Sequence, residues 1–200
     1  MVSVDGPGFI NFTFSNEYLA STAFLLATEG LQPLLPHTGA GKHALVEYVS
    51  SNPTGPLTVG HCRQAVLGEA ISSLLEASGW IVSREYYFND AGRQMYLLGE
   101  SLAARYISTD GFALFFTVTR PYGSYILDWA RDIRAEYGTE LTWEKDRKTF
   151  ISYAEDKAMK MIRSDLSLLG IEFDRYFAES DHKSQTIEQA LEFFAPTFKD

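Results

Sequence analysis

Thr58, Gly60 and His61 stand together where a Pro- and Gly-rich loop gives way to a run with helical periodicity. The loop, Ser-Asn-Pro-Thr-Gly-Pro over residues 51–56, is kept out of regular structure by Pro53 and Pro56. Backbone N–H groups at a helix start lack internal partners and attract anions, phosphate above all. An imidazole in the first helical turn, at His61, can donate a hydrogen bond to a phosphate oxygen. The Thr58 hydroxyl, three residues earlier, can reach the same place. Gly55 and Gly60 would let a ligand come close to the backbone. The chemistry this suits is that of a nucleotide reacting at one of its phosphates. The alternative is a tight turn followed by an ordinary helix start.

Two further groups of residues carry chemical potential. Glu47 is a charged residue in the middle of the apolar run Ala44–Ser50. A buried carboxylate is costly unless paired, and a guanidinium, held bidentately, is its natural partner. The alternative is a carboxylate facing solvent at a strand end. Asn89, Asp90 and Gln94 sit at the next strand-to-helix turn, where they can border a site, cap the following helix, or do both. Asn52 can cap the turn before Pro53.

Other signals are weaker. Gly39-Ala40-Gly41-Lys42 looks like part of a phosphate-binding loop, but it precedes a strand, with Pro36 in place of the first glycine and His43 in place of Ser or Thr. Cys62, beside His61, points elsewhere on a helix and is expected to be a spectator. His37, His43 and His182 have no metal-ligand spacing. Lys157, Lys160 and Arg163 form a basic set that could touch a nucleic acid, yet Asp156 can pair with Lys160 at i,i+4, as on a solvated helix face.

The elements that position these residues follow from periodicity. Val2–Phe14 reads as a strand interrupted by Gly6-Pro7-Gly8, followed by a helix from Asn16 to about Thr28 that Gly30 stops. Residues 32–42 are a connector and the candidate domain boundary. Ala44–Ser50 reads as a buried strand. A helix starts near Val59, with Leu67, Ala70, Ile71, Leu74, Leu75 and Ser78 on one buried face, and Gly79 ends it. Trp80–Phe88 is a second strand, so residues 43–88 form a βαβ unit, which calls for a right-handed crossover between parallel strands. Helices are expected over Ala91–Tyr106, Tyr125–Tyr137 and Lys145–Leu169, the last burying Ala154, Ala158, Met161, Ile162, Leu166 and Leu169. Residues 107–124 read as an irregular aromatic segment, Ile171–Phe177 as a strand and Gln185–Phe194 as a final helix. The fold class is α/β, and ligands of such sheets sit beyond the carboxyl ends of the strands, which is where residues 50–61 fall.

Composition sets the outer limits. The 200 residues are 46% hydrophobic and 22% charged, which argues against a disordered, collagenous or coiled-coil chain. A net charge of −9 argues against a general nucleic-acid coat protein without excluding a locally bound nucleic acid. The single cysteine rules out a disulfide framework or a multi-cysteine zinc site. No apolar stretch is long enough to span a bilayer and no secretory leader is visible, so a cytoplasmic protein is expected.

The string Val-Glu-Tyr-Val-Ser-Ser-Asn-Pro-Thr-Gly-Pro-Leu-Thr-Val-Gly-His, residues 46–61, resembles the His-x-Gly-His signature of class I aminoacyl-tRNA synthetases. More narrowly, it is similar to that of the arginyl-tRNA synthetase family. Three further strings carry the resemblance: Val4–Phe12, Arg84–Gln94 with its Tyr-Tyr-Phe-Asn-Asp-Ala-Gly centre, and Pro121–Ile126. The helix and strand over Ile162–Phe177 extend it, so that it covers most of residues 2–180. It implies a Rossmann-like parallel sheet flanked by helices, the first half of a class I catalytic domain. Residues 1–40 would be the end of an N-terminal additional domain plus its connector. Residues 41–200 would be part of the catalytic domain, with an insertion around 107–145.

The implied activity is arginine–tRNA ligation: ATP-dependent formation of arginyl-adenylate, then transfer to tRNA, whose presence the first step requires. The implied partners are arginine, ATP and the arginine-accepting tRNA, with Mg2+ accompanying ATP and no protein metal cluster. The implied roles are Pro56, Thr58, Gly60 and His61 for ATP, with Thr58 and His61 catalytic. Glu47 would hold the guanidinium, and Ser50, Asn52 and His61 the rest of the arginine. Asn89, Asp90 and Gln94 would border the site. The full-length protein would be a monomer. The sequence departs from the family in having Thr58 where the first signature histidine stands, and in lacking a Lys-Met-Ser-Lys-Ser string. The chain is therefore expected to be a fragment, inactive by itself. The alternative is a non-catalytic paralogue or ATP-binding module.

Overall fold

The computed structural model describes residues 1–107, 123–181 and 184–194. The chain divides into two compact units, Met1–His43 with Leu74–Ile81, and Ala44–Ser73 with Val82–Asp200.

In the first unit the composition predicts one interrupted strand, but Gly6-Pro7-Gly8 turns the chain through a hairpin. Strand β1 (Val2–Asp5) pairs antiparallel with β2 (Phe9–Phe12), Val2 opposite Phe12. Gly6 and Gly8 both have positive φ, and the Asp5 carboxylate accepts the Gly6 N–H at 2.8 Å, so a turn replaces the expected kink. Helix α1 (Asn16–Glu29) begins as predicted, with the Ser15 hydroxyl accepting the Tyr18 N–H, and ends at Gly30, φ 73°. In the connector, the Gly-Ala-Gly-Lys string folds against Trp80. The Gly39 N–H donates to the Ser78 carbonyl at 2.9 Å, and the Lys42 ammonium lies over the indole. That string is a packed turn.

The second unit contains the central strands. Strands β3 (His43–Glu47), β4 (Ile81–Phe88) and β5 (Arg175–Ala178) form a sheet in the order β3-β4-β5, with β4 and β5 parallel and Tyr86 opposite Tyr176. β3 is an edge strand that stops at Glu47, and Leu45 on it is 65% exposed. The expectation of a buried strand reaching Ser50 is therefore corrected. β5 covers only the end of the predicted Ile171–Phe177 strand.

Helix α2 (Val59–Ala77) starts where expected but buries a different face. Ala65, Gly68 and Ser72 are buried, while Leu67, Ile71 and Leu74 are exposed. The cause is close packing: a Cβ on Gly68 would lie 2.2 Å from the Tyr48 ring. Small residues at i, i+3 and i+7 let the helix approach the chain just after β3, and the larger apolar face is turned away.

Helices α3 (Arg93–Ile107), α4 (Tyr125–Tyr137) and α5 (Trp143–Leu168) follow. Their common core holds Leu98, Leu102, Tyr106, Ile126, Ile133, Phe150 and Ala154. Further along α5, Met159, Ile162 and Leu166 join Tyr48, Tyr86 and Phe88 in the core of the sheet. One helix thus serves both cores. Of the face expected on this helix, Ala154, Ala158, Ile162 and Leu166 are buried and Met161 is partly buried against the core; only Leu169 is exposed, and Phe150 and Met159 are buried in addition. Helix α6 (Ser184–Phe194) closes the described chain. The predicted irregular segment falls mostly on residues 108–122, outside the described residues, as do Pro121 and Tyr122 of the last motif. Among the described residues no helix is long and apolar enough to cross a membrane.

Candidate functional site

At the start of α2 the Thr58 N–H donates to His61 Nδ1 at 3.1 Å, and the Thr58 hydroxyl lies 3.2 Å from the same nitrogen. Because Nδ1 accepts a backbone hydrogen bond, the ring proton belongs on Nε2, which can act as a donor. Thr58 thus acts on the imidazole first. Thr58 and Gly60 are exposed, and a Cβ on Gly60 would meet only the Thr58 hydroxyl, at an ordinary 3.6 Å. Among the described residues no neighbour crowds that position. Gly55 is different. The Tyr125 ring packs where its Cβ would be, and the Tyr125 hydroxyl donates to the Thr54 carbonyl at 2.9 Å. Gly55 serves packing, and the expectation of ligand approach there is corrected. Pro56 lies exposed in the bend. Cys62 is half-buried, and its N–H donates to the Thr58 carbonyl at 3.0 Å.

Beyond β3 the backbone leaves extended geometry abruptly. Val49 has φ 64° and Ser50 φ 42°, and the Ser50 N–H donates to the Tyr48 carbonyl at 2.8 Å. A β-branched residue at positive φ is a strained conformation that surrounding structure must hold in place. Glu47 is exposed at the strand end, so the buried mid-strand carboxylate is corrected. The side chain is nonetheless oriented, because the Ser50 hydroxyl donates to Glu47 Oε1 at 2.7 Å. The Ser50 oxygen in turn accepts the Tyr87 N–H at 3.2 Å.

Asn52 joins the two strand-to-helix turns. Its Oδ1 accepts the Asn89 N–H at 3.0 Å, and its Nδ2 donates to Gln94 Oε1 at 2.7 Å. Asn52, Asn89 and Gln94 are therefore brought together, and Asn89 also accepts the Ala91 N–H at 2.9 Å in a local turn. Asp90 is drawn the other way. Its carboxylate accepts the Ser180 N–H at 2.9 Å and the Ser180 hydroxyl, tying the ends of β4 and β5. Around Tyr87 the site is electronegative. Its phenol is pushed above the usual range by burial first, then by the charges of Glu179, Asp90 and Glu47. Such a rim suits a cationic ligand.

A groove of about 370 Å³ is lined by Glu47, Ser50, Gln64 and Leu67 among others. A second depression holds Thr58, Gly60 and His61, and shares Gln64 and Leu67 as its wall. The two groups of residues are thus neighbours. Sequence reasoning missed Gln64, although it stands one turn after His61 on the same helix face. It also missed Tyr86 and Tyr125, whose hydroxyls hold the loop. A tyrosine in an apolar segment carries no local signal of such a role. The basic set on α5 is paired: Lys157 with Asp132 at 2.6 Å, Lys160 with Asp156 at 2.7 Å, and Arg163 over the Tyr176 ring.

Comparison with known proteins adds to this geometry. Residues 23–161 match the family described as class I tRNA synthetases (R), catalytic domain. The curated arginine–tRNA ligase of Chlorobium phaeobacteroides is 44% identical over 178 residues, which are 89% of this chain and 32% of the relative. That of Chlorobium luteolum is 45% identical over 88% of the chain. The chain spans about a third of the length of these curated relatives. A solved arginyl-tRNA synthetase structure from Campylobacter jejuni superposes with a TM-score of 0.77 at 29% identity, covering 92% of this chain and 40% of that one. The Thermus thermophilus arginyl-tRNA synthetase, at 22% identity and a TM-score of 0.62, shares the fold.

Proposed function

Because this chain belongs to the family of class I tRNA synthetases of the arginine type, we propose that it supplies the arginine- and ATP-binding part of an arginine–tRNA ligase. The whole charging reaction is proposed for a protein of its relatives' length. The arginine carboxylate attacks the α-phosphorus of ATP, giving arginyl-adenylate and releasing pyrophosphate. The terminal ribose hydroxyl of the arginine-accepting tRNA then attacks the arginyl carbonyl, and AMP leaves. No protein nucleophile is needed. The chain contributes position and electrostatics.

The observation that carries the reading is the loop from Glu47 to His61. Its strand-end carboxylate is oriented by Ser50, and its helix start bears an imidazole whose Nδ1 accepts from Thr58, leaving the proton on Nε2. On this reading Glu47 holds the guanidinium, and Ser50 and Asn52 hold the amino-acid backbone. Thr58 tunes His61, which donates to a phosphate oxygen, and Pro56 and Gly60 leave room for the nucleotide. Asn89 and Gln94 orient Asn52, while Asp90 closes the border of the site. Magnesium would enter with ATP. Residues 1–40 then serve as the end of an additional N-terminal domain and its connector, and residues 41–200 as part of the catalytic domain. The working protein acts as a monomer in the cytoplasm.

The test is a calorimetric titration of the chain with arginine and with citrulline, which replaces the guanidinium by a neutral urea. Arginine should bind about tenfold or more tightly, and Glu47→Gln should remove the preference, because a charge-assisted pair is worth roughly 1.5–3 kcal/mol. Equal binding of the two amino acids, or a preference that survives Glu47→Gln, would refute this assignment.

A further inference from the structure

Three consecutive residues of the substrate loop, Ser50, Ser51 and Asn52, are each tied to the end of β4. Ser50 Oγ accepts the Tyr87 N–H at 3.2 Å, and Asn52 Oδ1 accepts the Asn89 N–H at 3.0 Å. At Ser51 the tie is different. The Tyr86 hydroxyl accepts the Ser51 N–H at 3.1 Å and donates to the Ser51 carbonyl at 2.8 Å. Of these ties to β4, only this one comes from a β4 side chain.

Tyr86 is fully buried, with its ring against Phe173 at 5.3 Å edge-on and Tyr176 at 5.1 Å. The aromatic cluster fixes the hydroxyl, and the hydroxyl satisfies both backbone groups of one residue. The loop needs such a restraint, because Val49 and Ser50, immediately before Ser51, hold positive φ and would relax toward extended geometry if released. Burial pushes the phenol up to about 12, so it stays protonated and able to donate throughout the ordinary pH range.

We propose that Tyr86 is a positioning residue whose buried hydroxyl clamps the backbone of Ser51 and thereby sets Ser50 and Asn52 for the amino-acid substrate. It touches no substrate atom itself. The substrate half of this inference rests on the arginine reading above; the clamp does not.

The 200-residue chain also supplies its own control. Tyr106 is another buried phenol that bonds a backbone pair, donating to the Gly138 carbonyl at 2.8 Å and accepting the Leu141 N–H at 3.1 Å, in the helical core. Tyr86→Phe and Tyr106→Phe remove the same chemistry from two places. Tyr86→Phe should speed hydrogen exchange at the Ser51 amide about tenfold or more and weaken binding of free arginine by a similar factor. Tyr106→Phe should lower the melting temperature comparably and leave both readouts unchanged. Equal effects of the two variants, or a Ser51 amide as protected in Tyr86→Phe as in the wild type, would overturn the proposal. If Tyr86→Phe does not fold, the wild type decides: a slowly exchanging Tyr86 hydroxyl proton with a nuclear Overhauser contact to the Ser51 amide supports the clamp, and its absence refutes it. A wild-type chain that binds no arginine, but whose Ser51 exchange still depends on Tyr86, would overturn the arginine reading and leave the clamp standing.

Discussion

At His61 the useful property is which nitrogen carries the proton. The Thr58 N–H occupies Nδ1 at 3.1 Å, so the ring proton belongs on Nε2, a donor whose ring is held in place from the other side. A donor already in place costs no reorganisation when charge develops on a phosphate. In a full-length synthetase carrying this segment, His61→Ala should slow arginine-dependent pyrophosphate exchange about 100- to 1,000-fold, the usual loss for one such donor. The fold should survive, because the imidazole is not part of either core. Full exchange activity in that variant would remove His61 from the site. The Thr58 departure from the family signature is softened by this geometry, since its backbone and hydroxyl both meet the imidazole that remains.

At the scale of elements, α2, β4 and the segment after β3 are joined by a polar group centred on Glu69. The Tyr48 hydroxyl donates to Glu69 Oε2 at 2.7 Å, and Arg84 donates to both carboxylate oxygens of Glu69, at 3.1 and 3.0 Å. The Arg84 guanidinium holds the Glu69 carboxyl below its ordinary 4.5. The unfolded chain therefore takes up this proton first. The pair's contribution to stability is complete above about pH 4.5 and is lost as the pH falls below that value. Thermal melts from pH 7 to pH 3 should show it: Glu69→Gln should be less stable than the wild type near neutrality, and the gap should close on the acid side. A gap independent of pH would mean that the carboxylate charge is not what joins these elements. Glu155 titrates in the opposite sense, its carboxyl raised by burial, which is why the comparison between variants, and not a single acid limb, is diagnostic.

At the scale of the molecule, the face of α2 that carries Leu67 and Ile71 is exposed, beside Val46 and Tyr48 in the groove that also holds Glu47 and Ser50. Contiguous apolar surface of this kind binds hydrophobic dyes. The chain should therefore enhance the fluorescence of an anilinonaphthalene dye at neutral pH while remaining folded. Leu67→Lys combined with Ile71→Lys should reduce that signal with little change in melting temperature, because exposed positions contribute little to the core. A dye signal unaffected by the pair would locate the accessible surface elsewhere, for example on the hairpin, where Ile10 and Phe12 are also exposed.

Local chemistry was legible in the sequence wherever neighbours along the chain decide it. Ser15 and Gly30 bound α1, residues 125–137 form α4 as their periodicity predicts, and the Pro-Thr-Gly-Pro loop opens a helix at Val59 that carries His61 in its first turn. The family, too, could be read from short strings in order. Which face each element buries was decided by tertiary structure. Periodicity identifies the apolar face of α2 but not the neighbour it meets: the Tyr48 ring lies where a side chain on Gly68 would be, and the buried face is the small one of Ala65, Gly68 and Ser72. The same holds for Glu47, whose apolar flanks suggest burial until the strand ends there at the sheet's edge. The most consequential contact, Tyr86 to Ser51, spans 35 residues. No spacing rule reaches that far, because it depends on two strand ends meeting only after the sheet has formed.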